Sequence, residues 1–153
     1  MYSSLSSACG TGYAGYFNGD VYVVGTITST SDAAKKTNIS SLNGALSLIS
    51  QLKPKTYNFK VDQDLNLPQE KQYGFLAQDV EQVLPDIVKT VETLGERPQS
   101  GTDEPAQAVP TGEIKTVNYQ ALIPILVQGM QEQQEIIDAQ NKRIAELEAK
   151  INR

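Results

Sequence analysis

The sequence predicts an α+β fold in three parts: a β-rich segment over residues 1–30, a small mixed domain over residues 31–120, and a long helix over residues 121–153. Three observations predict it. The first 30 residues are glycine-rich and alternate with a period of two. The middle mixes short helical and extended stretches, punctuated by Gly and Pro. The last segment repeats apolar residues at three and four, the spacing of a helix that pairs with other helices.

In "GYFNGDVYVVGTIT", Asn18-Gly19 separates two β-prone runs, a strong hairpin or tight-turn signal. After it, Val21, Val23 and Ile27 alternate with Tyr22, Val24, Thr26 and Thr28. Gly10, Gly12, Gly15, Gly19 and Gly25 keep this piece thin. A lone hairpin is marginal in water, so the segment is expected to continue a longer β-rich stalk or to pair with copies of itself. A flexible N-terminal tail is the competing reading.

From Ser31 the pattern changes. "SSLNGALSLISQLKPK" places Leu42, Leu46 and Ile49 on one helical face, with Ser40 or Ser41 as N-cap and Pro54 beyond the end. "TYNFK" reads as a strand and "VDQDLNLPQEK" as a polar loop. Residues 73–77 read as a strand, 78–84 as a helix stopped by Pro85, and 87–91 as another strand. Residues 92–112 carry Gly, Pro and acids without periodicity and are expected to form a mobile loop. "EIKTV" is one more short strand.

Asn118 is placed to cap the last helix, and Pro124 in its second turn predicts a kink or a delayed start. Beyond it Met130, Ile137, Ile144 and Ile151 fall at heptad position a, and Leu126, Gln133, Gln140 and Leu147 at d. Arg143 at g and Glu148 at the following e have opposite charge, as partner strands prefer. Asp138 with Lys142, and Glu146 with Lys150, are acid-before-base pairs that add about 0.2–0.5 kcal/mol each. Ile at a with Leu at d leans towards two strands, while the Gln layers leave the count open. The alternative is a helix lying on its own domain.

Composition limits the function. Hydrophobic residues make up 39% of 153, a little low for a compact globule, which suits a small core with extended parts that need partners. The net charge of −5 argues against nucleic acid or an acidic membrane as the main partner, since both reward clustered Lys and Arg. No apolar run of about 18 residues is present to span a bilayer, and no signal peptide is visible. One cysteine, Cys9, excludes an intrachain disulfide, and one Cys with no His makes a zinc site unexpected. Without His, no Ser-His or Cys-His pair can form, so any covalent chemistry needs Lys, Asp, Glu or a terminal amine as base.

The stretch "TSTSDAAKKTN" at residues 28–38 is where such chemistry could sit. Ser31 has Lys35 four residues on and Lys36 five residues on. A lysine can take a hydroxyl proton only when neutral. At an unperturbed pKa of about 10.4, only about one in a thousand is neutral near pH 7.5. Desolvation lowers a lysine by up to about 3–5 units, so the chemistry needs a buried amine. The plainer reading is that Ser31-Asp32 caps a turn and both lysines are solvated. Spacing alone favours that reading.

Four segments in order change the weighting: "SDAAKKTNI", "LKPKTYNFK", "YGFLAQDVEQVLPDIV" and "VNYQALIPIL" with its heptad tail. Together they resemble the C-terminal intramolecular chaperone domain of phage endosialidase tailspikes, an auto-processing domain also found in other tail fibres and in the myelin regulatory factor. The resemblance runs from residue 31 to 153. It implies a homotrimer with a three-stranded coiled coil that helps an upstream fibre or tailspike segment fold, then cuts itself off. The scissile bond maps to Thr30–Ser31, with Ser31 as nucleophile and Lys36, not Lys35, as general base, the register being fixed by "KTNI". Such a chain is a single-turnover serine peptidase acting on itself, without cofactor or metal. It would belong to a virion tail fibre precursor assembled in the host bacterial cytoplasm. Asp32 either orients the turn or holds Lys36, and Gln78 is expected to be structural. A non-cleaving trimeric cap is the competing reading. A processing domain of a membrane-tethered transcription factor is a third, disfavoured by the acidic charge and the stalk-like N-terminus.

Overall fold

A computed structural model describes residues 17, 19–62, 65–94 and 110–152. It is an α+β structure that ends in a long helix. The chain folds as two interleaved units: Met1–Thr30, Pro54–Gly74 and Lys89–Thr116 form the first, and Ser31–Lys53, Phe75–Val88 and Val117–Arg153 the second.

In the second unit, α1 (Ala45–Gln51) packs on α3 (Leu122–Ile151), with α2 (Ala77–Val83) between them in sequence. Helix α1 starts later than the sequence suggests. Its N-cap is Gly44, not Ser40 or Ser41, and Leu42 lies outside the helix. The backbone at Gly44 (φ 71°) is left-handed, a conformation that costs a side chain and breaks the helical path there. Helix α2 closes with the Leu84 N–H donating to the Val80 carbonyl at 2.7 Å, and Pro85 then opens a 3-10 turn, Pro85–Ile87. The Asn118 carboxamide accepts the Ala121 N–H across a 3-10 turn, Tyr119–Ala121, that precedes α3. This is the delayed start predicted from Pro124. The proline stands third in α3, where its missing N–H is one the helix would leave unpaired anyway.

The core of this unit gathers Ala45, Leu122 and Ile125, with Ile49, Leu52, Phe75, Leu84 and Ile87 packed around them. Val80 is fully enclosed. Burying a leucine or isoleucine side chain stabilises by about 1.5–3 kcal/mol, so Leu122 and Ile125 hold the foot of α3 to α1. The Phe75 N–H donates to the Tyr119 hydroxyl at 3.0 Å, and the two rings stack with centroids 6.1 Å apart. The Asn118 N–H donates to the Ile87 carbonyl at 2.8 Å, fixing where α3 begins.

The first unit holds two small sheets. β1 (Lys55–Tyr57) pairs antiparallel with β2 (Gln72–Gly74), Thr56 standing opposite Tyr73. Tyr57 and Phe59 meet edge to face at 5.2 Å, and the Asn58 amide donates to the Gln69 carbonyl at 3.0 Å, closing the intervening loop. The predicted strand at 73–77 is therefore shorter: Ala77 already belongs to α2. β3 (Val88–Leu94) pairs with β4 (Pro110–Val117). Residues 92–94 and 110–112, expected in a mobile loop, are thus strand residues. Cross-strand pairing recruits them despite their turn-like composition. The rest of that loop lies outside the described residues.

Residues 19–30 form no strand, against the period-two reading. A ladder needs a partner, and positive φ at Gly19 (137°) and Gly25 (125°) interrupts the extended run. Val21, Tyr22, Val24 and Ile27 are exposed along it. Asn18 and residues 1–16, the remainder of the predicted β-rich segment, lie outside the described residues. Among the described residues no helix is long and apolar enough to cross a membrane.

Candidate functional site

Ser31 opens the second unit, and a short turn follows it. Asp32 is the N-cap of a 3-10 turn, Ala33–Lys35: one carboxylate oxygen accepts the Ala34 N–H at 2.9 Å, and its carbonyl accepts the Lys35 N–H at 3.1 Å. The Lys36 N–H closes the turn on the Ala33 carbonyl at 3.0 Å, and its own backbone is extended. An Asp does this well because its short side chain reaches the N–H two residues on. The compact turn folds five residues back on themselves. As a result the Lys36 amine donates to the Ser31 hydroxyl at 2.9 Å.

It is Lys36, not Lys35, whose amine reaches Ser31. Asp32 shapes the turn through its backbone partners. Thr30, Ser31, Asp32, Lys35 and Lys36 are all exposed in the single chain, and so is Gln78. The chemistry of the pair depends on protonation. As an ammonium, Lys36 donates to Ser31 and leaves the hydroxyl inert. As a neutral amine it would accept the hydroxyl proton and make the oxygen a nucleophile. Among the described residues, no cluster of His, Cys, Asp or Glu could hold a metal ion.

Helix α3 presents two faces. Leu122, Ile125, Gly129 and Glu132 turn towards α1. The heptad positions Leu126, Met130, Ile137, Ile144, Leu147 and Ile151 are exposed, between 40% for Ile137 and 81% for Ile151. Gln133 and Gln140 lie exposed on the same stripe. At about 100° per residue the two faces are adjacent, not opposite.

Sequence reasoning missed Glu132. Its carboxylate accepts the Leu46 N–H at 2.8 Å and the Ala45 N–H at 3.1 Å, and the Gln128 amide supports it at 3.3 Å. It takes the place of the N-cap side chain that Gly44 lacks. These contacts, the Leu46 N–H first and partly opposed by desolvation, hold its pKa below the ordinary glutamate value of 4.5. The available signal was a second stripe at 122, 125, 129 and 132, with a glycine in it for close helix approach.

What the fold defines is a small α+β domain closed by a long helix, and its candidate site is a hydroxyl–amine pair on a capped turn. Residues 31–89 match the family model Peptidase_S74, described as chaperone of endosialidase. Five chains among the solved structures also match. One, described as a novel intramolecular chaperon, is 18% identical, with a TM-score of 0.44, over 69% of this chain and 98% of that one. No curated protein matches.

Proposed function

We propose that this chain is an intramolecular chaperone: it associates through α3 as a homotrimer, assists folding of an upstream fibre or tailspike segment, and then releases itself by cutting between Thr30 and Ser31. The family match at residues 31–89 supports the chaperone role. The contact of 2.9 Å between the Lys36 amine and the Ser31 hydroxyl carries the cleavage reading.

The steps balance as follows. Neutral Lys36 takes the hydroxyl proton while Ser31 Oγ bonds to the Thr30 carbonyl carbon. The tetrahedral oxyanion collapses, the C–N bond breaks, and the Lys36 ammonium returns the proton to the leaving Ser31 amine. This leaves Thr30 esterified to Ser31 Oγ. Water then adds to the ester and the C–Oγ bond breaks, giving a Thr30 carboxylate and a free Ser31 hydroxyl. Association supplies the condition for the first step. Copies that cover the exposed pair exclude water and favour the neutral amine. An unassembled chain stays intact, which keeps the chaperone attached until its work is done.

Exposure of both side chains in the single chain favours one alternative, a permanent trimeric cap that never cuts. Intact mass and a denaturing gel of the assembled chain separate the two. Cutting yields a fragment beginning at Ser31. Ser31→Ala and Lys36→Ala give one uncut band, Lys35→Ala is still cut, and hydroxylamine captures the ester as a Thr30 hydroxamate. An assembled chain that remains uncut supports the cap. Sedimentation as a monomer at micromolar concentration would sink both readings.

A further inference from the structure

We propose that Glu132 is a positioning residue for self-cleavage: it pins the segment that carries Ser31 and Lys36 to helix α3, and so links association of α3 to the reacting pair. The inference rests on the cleavage reading above and adds a residue far from the cut in sequence.

The argument starts from what holds that segment. Residues 31–44 are exposed throughout, and the turn at 32–36 and the Asn43 amide on the Ser41 carbonyl tie them only to near neighbours in sequence. The first enclosed residue downstream of Lys36 is Ala45, at 0% exposure. Its N–H and that of Leu46 end on the two oxygens of Glu132. The carboxylate therefore fixes the downstream end of the segment at the point where it joins α1. Gly44 supplies no side-chain cap to replace it. Gly129, one turn earlier on α3, is what lets α1 lie this close: a β-carbon there would press on Ile49 Cδ1 at under 3.0 Å.

The placement on α3 gives the link. Glu132 sits between Met130 and Gln133, which lie on the exposed heptad stripe, but it faces α1. Holding α3 in a bundle through that stripe orders the turn that carries the carboxylate. The carboxylate orders the start of α1, and α1 limits the positions open to residues 31–44. A reacting pair misplaced by about 1 Å can lose about a hundredfold in rate, so a looser anchor reads out as slower cutting.

The test follows cutting of the full chain after cell-free synthesis, alongside its assembly and the exchange of its backbone amides. Glu132→Ala is expected to reach the wild-type oligomer and helix content while cutting at least about tenfold more slowly. Glu132→Gln, which keeps neutral acceptor oxygen but not the charge, falls between and stands in should the alanine variant not fold. Amide exchange at Ala45 and Leu46 rises in both. Wild-type cutting by assembled Glu132→Ala overturns the proposal, as does slowing no greater than the loss of assembled chain. A wild type as uncut as Lys36→Ala defeats the cleavage reading instead. The anchor is then judged by exchange alone: faster exchange at Ala45 and Leu46 upholds it, and unchanged protection overturns it.

Discussion

Replacing Gly129 by alanine, alone and together with Ile49→Val, tests how closely α1 and α3 approach. Two effects oppose each other in the single change. Alanine is favoured over glycine inside a helix by about 1 kcal/mol. Against that, the new β-carbon meets Ile49 Cδ1 closer than side chains tolerate, and overpacking of this kind costs about 1–3 kcal/mol. The obstacle is a terminal methyl that can rotate away, while the Leu46 backbone nitrogen stands clear at 3.7 Å, so the cost falls at the low end. The single variant is expected to lie within about 1 kcal/mol of wild type. Ile49→Val removes the offending methyl and by itself costs about 0.5–1.5 kcal/mol. In the double variant the overpacking is relieved, since the next Ile49 atom is 3.8 Å away. It should be more stable than the sum of the singles by about 1 kcal/mol, within the range of coupled neighbours. Urea unfolding at one fixed protein concentration measures this. Additivity within about 0.3–0.5 kcal/mol would refute the close approach.

Two further predictions concern the same unit. The folded pKa of Glu132 lies below its ordinary value of 4.5, so its contribution to stability is complete at neutral pH. It is lost as pH falls from that value through the folded pKa, and Glu132→Gln should flatten this acid limb in unfolding curves taken across it. Tyr119→Phe removes the hydroxyl that accepts the Phe75 N–H while keeping the stacked ring, and should cost about 0.5–1.5 kcal/mol in urea unfolding, with no change in association.

Features set by near neighbours in sequence were readable from it. The Asn118 cap, the late start imposed by Pro124 and the length of α3 each depend on residues within a turn or two of one another. The stop at Pro85 is of the same kind. The start of α1 was not readable, because its cap comes from Glu132, 86 residues downstream of Leu46, while the serines that looked like caps precede a left-handed glycine. Strand residues 92–94 and 110–112 were hidden for a similar reason: pairing across the β3–β4 gap outweighs loop-like composition. Alternation over residues 19–30 shows a capacity to pair, but a capacity becomes a strand only when a partner edge is present. At the site, spacing alone left both lysines solvated and did not choose between them. The choice of Lys36 came from family resemblance, and the compact turn built on Asp32 gives it a physical basis.

One property of α3 bears on how such chains can be re-engineered. Past Glu132 every described residue to Asn152 is exposed. The apolar stripe begins at Leu126 and Met130, alongside the residues that meet α1, and beyond Glu132 it continues with no share in the core. Heptads of other strand preference could be grafted in after Glu132, which would make the association of α3 a design parameter while the residues that meet α1 are kept.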